Sequence, residues 1–200
     1  QRFRPDAAAR RQQRAAWGVD ECHVVFGLVG RIDPVKNHAG FLVAAAQLVE
    51  SCPAARFVVA GYDPAGRRPA LQQQAVTLGI ADRMIWQDGT QAMPAVYNGL
   101  DWLVSASHSE GSPNVLGEAM ACGVLGITTD TGDAAWLLAE GGYVVPVGDT
   151  AALAAALRQA YATGGAALAS PRARVEQVFS AGNLLTNTES ALRAVQPKGN

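Results

Sequence analysis

The residue types best suited to chemistry fall in two short segments. The first is GRIDPVK, residues 30–36, where Arg31 and Lys36 stand five positions apart in a turn-forming stretch. Two cations on one loop can grip a diphosphate and stabilise the charge that develops on it as it leaves. On spacing alone they are equally well two solvated residues of a polar turn. The second segment is EGSPNVLGEAMACG, residues 110–123, where seven residues separate Glu110 from Glu118. Ser112 is placed to cap a helix whose first residue is Pro113. The start of such a helix carries free N–H groups and a positive dipole end, both suited to phosphate. Glu110 in the loop and Glu118 in the first two turns would reach one cleft from either side of the helix start. A carboxylate there accepts paired hydrogen bonds from neighbouring hydroxyls of a sugar or a ribose. The plainer alternative is a loop acid and a surface helix acid, although an acid inside the apolar run VLGEAMA calls for a partner.

Positioning these groups falls to an alternation of apolar runs and helical patterns. HVVFGLVG (23–30) is a continuous apolar run of the kind a strand buried on both faces shows. Helical spacing follows over 38–51. Further strands are read at 56–61, 84–87, 101–107, 124–130 and 143–147. Helices are read at 68–79, closed by Gly79, at 92–99, from Pro113 to Cys122 with Gly123 after it, and at 150–163 with Thr150 as N-cap. An Ala/Arg-rich helical stretch precedes the first strand. PRARVEQVFS (171–180) and AGNLLTNTESALRAV (181–195) read as two closing helices, with a disordered PKGN after them. This order predicts an α/β fold, a Rossmann-like parallel sheet with helices on both faces. Ligands of such sheets sit at the carboxyl ends of the strands, which nominates the loops after Gly30, Ser107 and Asp130.

Composition narrows the classes. The chain has 200 residues, 49% hydrophobic and 16% charged, with a formal net charge of -1. That is globular material without the basic face of a nucleic-acid binder. Cys22, Cys52 and Cys122 make an odd number, none at a metal-site or redox spacing, which fits a reducing cytosol and neither a disulfide scaffold nor a zinc site. No apolar run approaches the ~20 residues of a membrane span, and the polar, basic start is no signal peptide. A cytoplasmic location follows as the expectation, with room for peripheral association on the inner membrane face. Neither the phosphate-loop nor the dinucleotide-binding glycine pattern is present, which disfavours a P-loop ATPase or an NAD enzyme. His108, beside Glu110, is set aside as a general base, His23 and His38 read as structural or solvated, and Cys122 reads as core. Asp130, at a strand end, can orient backbone amides or cap the next helix.

With the Glu110-to-Glu118 block in view, the chain resembles the family 4 retaining glycosyltransferases, which have the GT-B fold of two Rossmann-like halves. Landmarks elsewhere come in matching order: FRP (3–5), Gly30, Arg31 and Lys36, FVVAG (57–61), ADR (81–83), MPAVYNGLD (93–101), TTDTGD (128–133), VVPVGD (144–149) and RVEQVFS (174–180). The resemblance implies the carboxy-terminal, donor-binding half. Residues 1–165 would form the nucleotide-sugar-binding domain and 166–200 a helical tail, with the acceptor-binding domain absent from this chain. It implies that Gly30, Arg31 and Lys36 bind the donor diphosphate, that Glu110 holds the transferred sugar, and that Glu118 holds the ribose. Ser112 and the backbone amides of Asn114, Val115 and Leu116 would meet phosphate or sugar, and Trp86 and Gln87 the base. Catalysis would rest on Glu110, Arg31 and Lys36, with no metal and no cofactor. The substrate would be a UDP or GDP sugar, passed to a glycan or lipid-linked acceptor in polysaccharide biosynthesis, and the fragment alone would be inactive. The chain departs from the family pattern at Leu125, Gly126, Gln87-Asp88 and Trp136. The alternative of a non-catalytic nucleotide-sugar-binding or partner-binding module stays open, and an epimerase on the same architecture is less favoured.

Overall fold

The structure is a computed structural model that describes residues 2–164 and 170–179, together with residues 182, 185, 189 and 190. Six strands form one sheet: β1 (Val24–Val29), β2 (Ala55–Gly61), β3 (Met84–Asp88), β4 (Trp102–Ser105), β5 (Leu125–Thr129) and β6 (Gly142–Val145). Their order is β3-β2-β1-β4-β5-β6 and every pairing is parallel. The apolar runs become strands because both faces of the sheet are covered and each strand must be apolar on both.

Among the described residues, eight α-helices supply that cover: α1 (Ala7–Ala16), α2 (His38–Ala46), α3 (Arg68–Thr77), α4 (Met93–Gly99), α5 (Asn114–Ala121), α6 (Ala134–Leu138), α7 (Thr150–Thr163) and α8 (Pro171–Phe179). Alternation along β1 divides the core. Phe26 and Leu28 join Phe41 and Leu42 of α2 and Leu153 and Leu157 of α7 on one face. Val25 and Val29 join Val96 of α4, Leu116 of α5 and Leu137 of α6 on the other. The predicted α/β architecture is therefore the observed one, and α8 lies against α5 and α6.

Several predicted boundaries move. The helix read to residue 51 stops at Ala46; residues 47–51 tighten into three-residue turns, with Ser51 N–H donating to the Leu48 carbonyl, ahead of Pro53. The N-cap of α7 is Asp149, whose carboxylate accepts from Ala152 N–H at 2.8 Å, and not Thr150, which is the first helical residue. The helix after the Glu110 loop begins at Asn114, with Pro113 as its extended N-cap residue. Ser112 lies one position too early to cap it, and no side chain does. The short α6 has no counterpart in the sequence reading, and Asp130 is exposed and does not cap it; its N-cap residue is Asp133. The predicted helix over 181–195 and the PKGN tail lie almost wholly outside the described residues.

One polar knot fixes α1 to the sheet. The Arg14 guanidinium, 2% exposed, donates to Asp101 Oδ2 at 3.0 Å and to the carbonyls of Gly99, Asp20 and His23. Asp101 also accepts from Val25 N–H at 2.7 Å and from Arg10 at 2.8 Å. Removing one partner of a buried pair strands the other charge, which costs about 3–5 kcal/mol. Asp101→Ala is expected to lose stability on that scale in urea unfolding, with Asp101→Asn losing less.

Candidate functional site

Strand order reverses between β1 and β4: the chain steps outward from β1 through β2 to β3, then returns to the other side of β1 with β4. The crevice at the carboxyl ends of such a pair is where open α/β sheets hold their ligands. Both chemistry-bearing segments end there, 74 residues apart in sequence. Lys36 Nζ lies 2.5 Å from Glu110 Oε1. The Lys36 side chain is 21% exposed and that of Glu110 13%, so the pair is largely withdrawn from water. Ser107 Oγ donates to the same carboxylate oxygen at 2.6 Å. His108 N–H donates to the Val35 carbonyl at 2.8 Å, stitching the two loops together through the backbone. His108 contributes that N–H; its ring is exposed.

Local rules explain each loop. After β1, Asp33 accepts from Val35 N–H at 3.0 Å and caps a single 3₁₀ turn, Pro34–Lys36, that presents Lys36. Asn37, left-handed at φ 54°, then accepts from Gly40 N–H and starts α2. The β2 strand ends at Gly61, where a Cβ would run into the Gly30 carbonyl oxygen, so this glycine lets the Arg31 loop lie against β2. After β4, the Glu110 loop is braced by the turn after β5. Asp133 N–H donates to the Gly111 carbonyl at 2.9 Å. Between them Gly132 sits at φ +49°, where a side chain would strike the Gly111 and Glu110 carbonyls. Buried Thr129 donates to the Ser107 carbonyl at 2.7 Å and fixes the end of β4.

The remaining predicted site residues are distributed more widely. Arg31 stands on the rim, its side chain 61% exposed and paired with Asp33 at 3.3 Å. Glu118 sits half-buried on α5 and accepts from the Tyr97 hydroxyl at 2.7 Å. It lines a hollow of about 270 Å³ with Ser112, Asn114 and Gly117, one that Arg31, Lys36 and Glu110 do not line. The four charged residues thus do not enclose one cavity. Leu116 N–H is spent on the Pro113 carbonyl, whereas those of Asn114 and Val115 have no partner among the described residues. Leu116 is fully buried and Val115 half-buried. Trp86 and Gln87 lie on edge strand β3, two strands from β1. Trp86 packs against the α2 side of the core, and the Gln87 amide oxygen accepts from Trp17 at 2.7 Å and Gln13 at 3.2 Å. They are not brought to the Lys36–Glu110 pair. Sequence reading missed Ser107 and Tyr97, which hold the two acids. A tyrosine inside an apolar helix is a signal that some acceptor must meet it.

Cys122 is structural. Burial pushes the Cys122 thiol up to about 11, as suits a core residue and not a nucleophile. Among the described residues no group of three or more His, Cys, Asp or Glu could hold a metal ion, and no helix is long and apolar enough to cross a membrane.

Comparison with known proteins agrees with this fold. The family model described as Glycosyl transferases group 1 matches residues 23–163. A D-inositol 3-phosphate glycosyltransferase of Saccharomonospora viridis is 36% identical over 161 residues, which are 75% of this chain and 37% of that protein. The chain spans about a third of the length of such curated relatives. Among solved structures, Anabaena HepE in complex with UDP superposes over 97% of this chain and 55% of its own, with a TM-score of 0.86 at 22% identity. The C-terminal domain of a Glycosyl Transferase Group 1 family protein, LpcC, from Francisella tularensis covers 88% of this chain and 94% of its own, with a TM-score of 0.75 at 24% identity.

His38, 3% exposed at the start of α2, gives the loop after β1 a pH dependence. Burial pushes its imidazole down from 6.5 to about 4, so the folded ring is neutral where the unfolded one takes up a proton. The neutral ring's contribution is complete above about pH 6.5 and is lost as pH falls toward 4, a loss of roughly 3 kcal/mol. Urea unfolding between pH 7 and pH 4 should show this slope, and His38→Gln should flatten it; an unchanged slope in the variant would assign the dependence to other groups.

Proposed function

The chain belongs to the Glycosyl transferases group 1 family, and we propose that it is the donor-binding half of a retaining transferase that moves a hexose-type sugar from a nucleoside diphosphate to a glycan or lipid-linked acceptor. The observation that carries this reading is the Lys36–Glu110 pair at the β1/β4 crevice. Lys36 has one ammonium proton directed to Glu110 and others left for a phosphate oxygen. It would neutralise the charge gathering on the diphosphate as the bond from the sugar's anomeric carbon to the diphosphate breaks and the bond to the acceptor oxygen forms. Glu110, tied through Oε1 to Lys36 and Ser107, keeps Oε2 for a hydroxyl of the transferred sugar. Glu118 accepts the ribose hydroxyls. The free N–H groups of Asn114 and Val115 and the dipole of α5 meet phosphate oxygens. Arg31, on the rim, closes over the diphosphate from outside. In this reading cationic side chains do the neutralising and no metal or cofactor enters.

HepE is described in complex with UDP, which supports UDP as the nucleotide to test first, with GDP as the second choice. The acceptor-binding half would precede residue 1. Support for this comes from the span of the chain within longer relatives and from its match to a structure described as a C-terminal domain. Acceptor chemistry, including any contact with a membrane face or a role in polysaccharide synthesis in the cytoplasm, would then reside in the two halves together.

Titration calorimetry with UDP tests the assignment. Lys36→Ala and Glu118→Ala are each expected to weaken binding by about 1–3 kcal/mol, the scale of a lost charged hydrogen bond. Arg31→Ala is expected to cost less, because an exposed cation is screened by water. Folded protein that binds neither UDP nor GDP, alone or as their common sugars in a thermal-shift panel, would defeat the reading.

A further inference from the structure

Tyr97 is a fully buried polar side chain in contact with Glu118. It lies on α4 at 0% exposure, its ring edge-on to Phe3 with centroids 6.0 Å apart, among Val96, Leu100 and Met120. Its hydroxyl makes one hydrogen bond in the structure, donated to Glu118 Oε2 at 2.7 Å. Burial, with the neighbouring carboxylate, pushes its proton loss far above the ordinary range, so the hydroxyl stays a donor at every working pH. From the other side, that bond is the one hydrogen bond the Glu118 carboxylate makes among the described residues, and Oε1 has no partner among them.

From this geometry we propose that Tyr97 is a positioning residue that sets Glu118 for a ribose diol; the inference rests on the donor-site reading of Glu118 given above. A glutamate has three rotatable side-chain bonds, and freezing them at the moment of binding consumes rotamer entropy. One hydrogen bond from a rigid, fully packed ring holds the carboxylate in place beforehand, as preorganisation requires. Because the donated proton goes to Oε2, the carboxylate retains Oε1 and the remaining lone pair of Oε2 for two hydroxyl donors, the number a 2′,3′-diol offers. Neither Tyr97 nor Glu118 gains such an arrangement from its own helix: α4 and α5 are separate elements that meet only because both cover the same face of the sheet.

The test is UDP binding by calorimetry with Tyr97→Phe, which removes one oxygen and keeps the packed ring. Affinity is expected to fall about 10-fold, with the preference for UDP over 2′-deoxy-UDP narrowed by a similar factor. In a Glu118→Ala background Tyr97→Phe is expected to add nothing, because the group it positions is gone; a merely structural tyrosine would weaken both backgrounds alike. Unchanged UDP affinity and unchanged ribose preference in Tyr97→Phe would overturn the proposal while leaving the donor site intact. If instead Glu118→Ala itself left UDP binding unaltered, the reading of Glu118, and this proposal with it, would fall. A measurement without substitution keeps the inference testable if the variant folds poorly. The ¹³Cζ resonance of Tyr97 in the parent protein should move on saturation with UDP and move less with 2′-deoxy-UDP; equal shifts would count against it.

Discussion

A lysine from the loop after the first strand meets a glutamate from the loop after the fourth, and the site follows from that meeting. The ion pair spans the place where the sheet reverses its order, so it exists only if β4 docks beside β1. Largely withdrawn from water, its two charges attract at a lower effective dielectric than a surface pair, yet the pair leaves the ammonium and one carboxylate oxygen with capacity to spare. Charge held in this way is already partly desolvated and already oriented, so a diphosphate and sugar bound there as proposed would need little reorganisation of the site.

What keeps the pair in register lies behind it. The Gly132 turn presses against the backbone of the Glu110 loop, the β2 terminus presses against the Arg31 loop through Gly61, and Thr129 and Ser107 fix the last carbonyl and the carboxylate. These are contacts of main chain on main chain and of short side chains, which tolerate little displacement. Farther away, Arg14 and Asp101 bind the N-terminal helix to the first and fourth strands at their opposite ends. The sheet is thus clamped at its amino edge and left open at its carboxyl edge, where a ligand must enter.

Much of this architecture is legible in the sequence because parallel strands covered on both faces read as unbroken apolar runs, and β1 is found almost to the residue. Helix termini are less legible. Ser112 and Thr150 are plausible caps by type, but the chain turns one residue later at Pro113 and one earlier at Asp149. The short α6 is too brief to show a period. Within the site, Lys36, Glu110 and Glu118 are readable by type and by the resemblance their surroundings carry. Their partners are not, because Ser107 and Tyr97 have no distinctive spacing and acquire their roles only through tertiary contact. The same reason explains Gln87, whose amide is taken by Trp17 and Gln13 of the N-terminal segment, a contact no local pattern foretells.

The central claim is that the crevice between β1 and β4 is a diphosphate site organised by Lys36 and Glu110. Backbone amide chemical-shift mapping during a UDP titration addresses it directly. The account predicts that the largest shifts cluster at residues 31–37 and 110–118, two segments distant in sequence that meet at that crevice. Saturable UDP binding whose shifts fall elsewhere on the protein, with those two segments undisturbed, would contradict it.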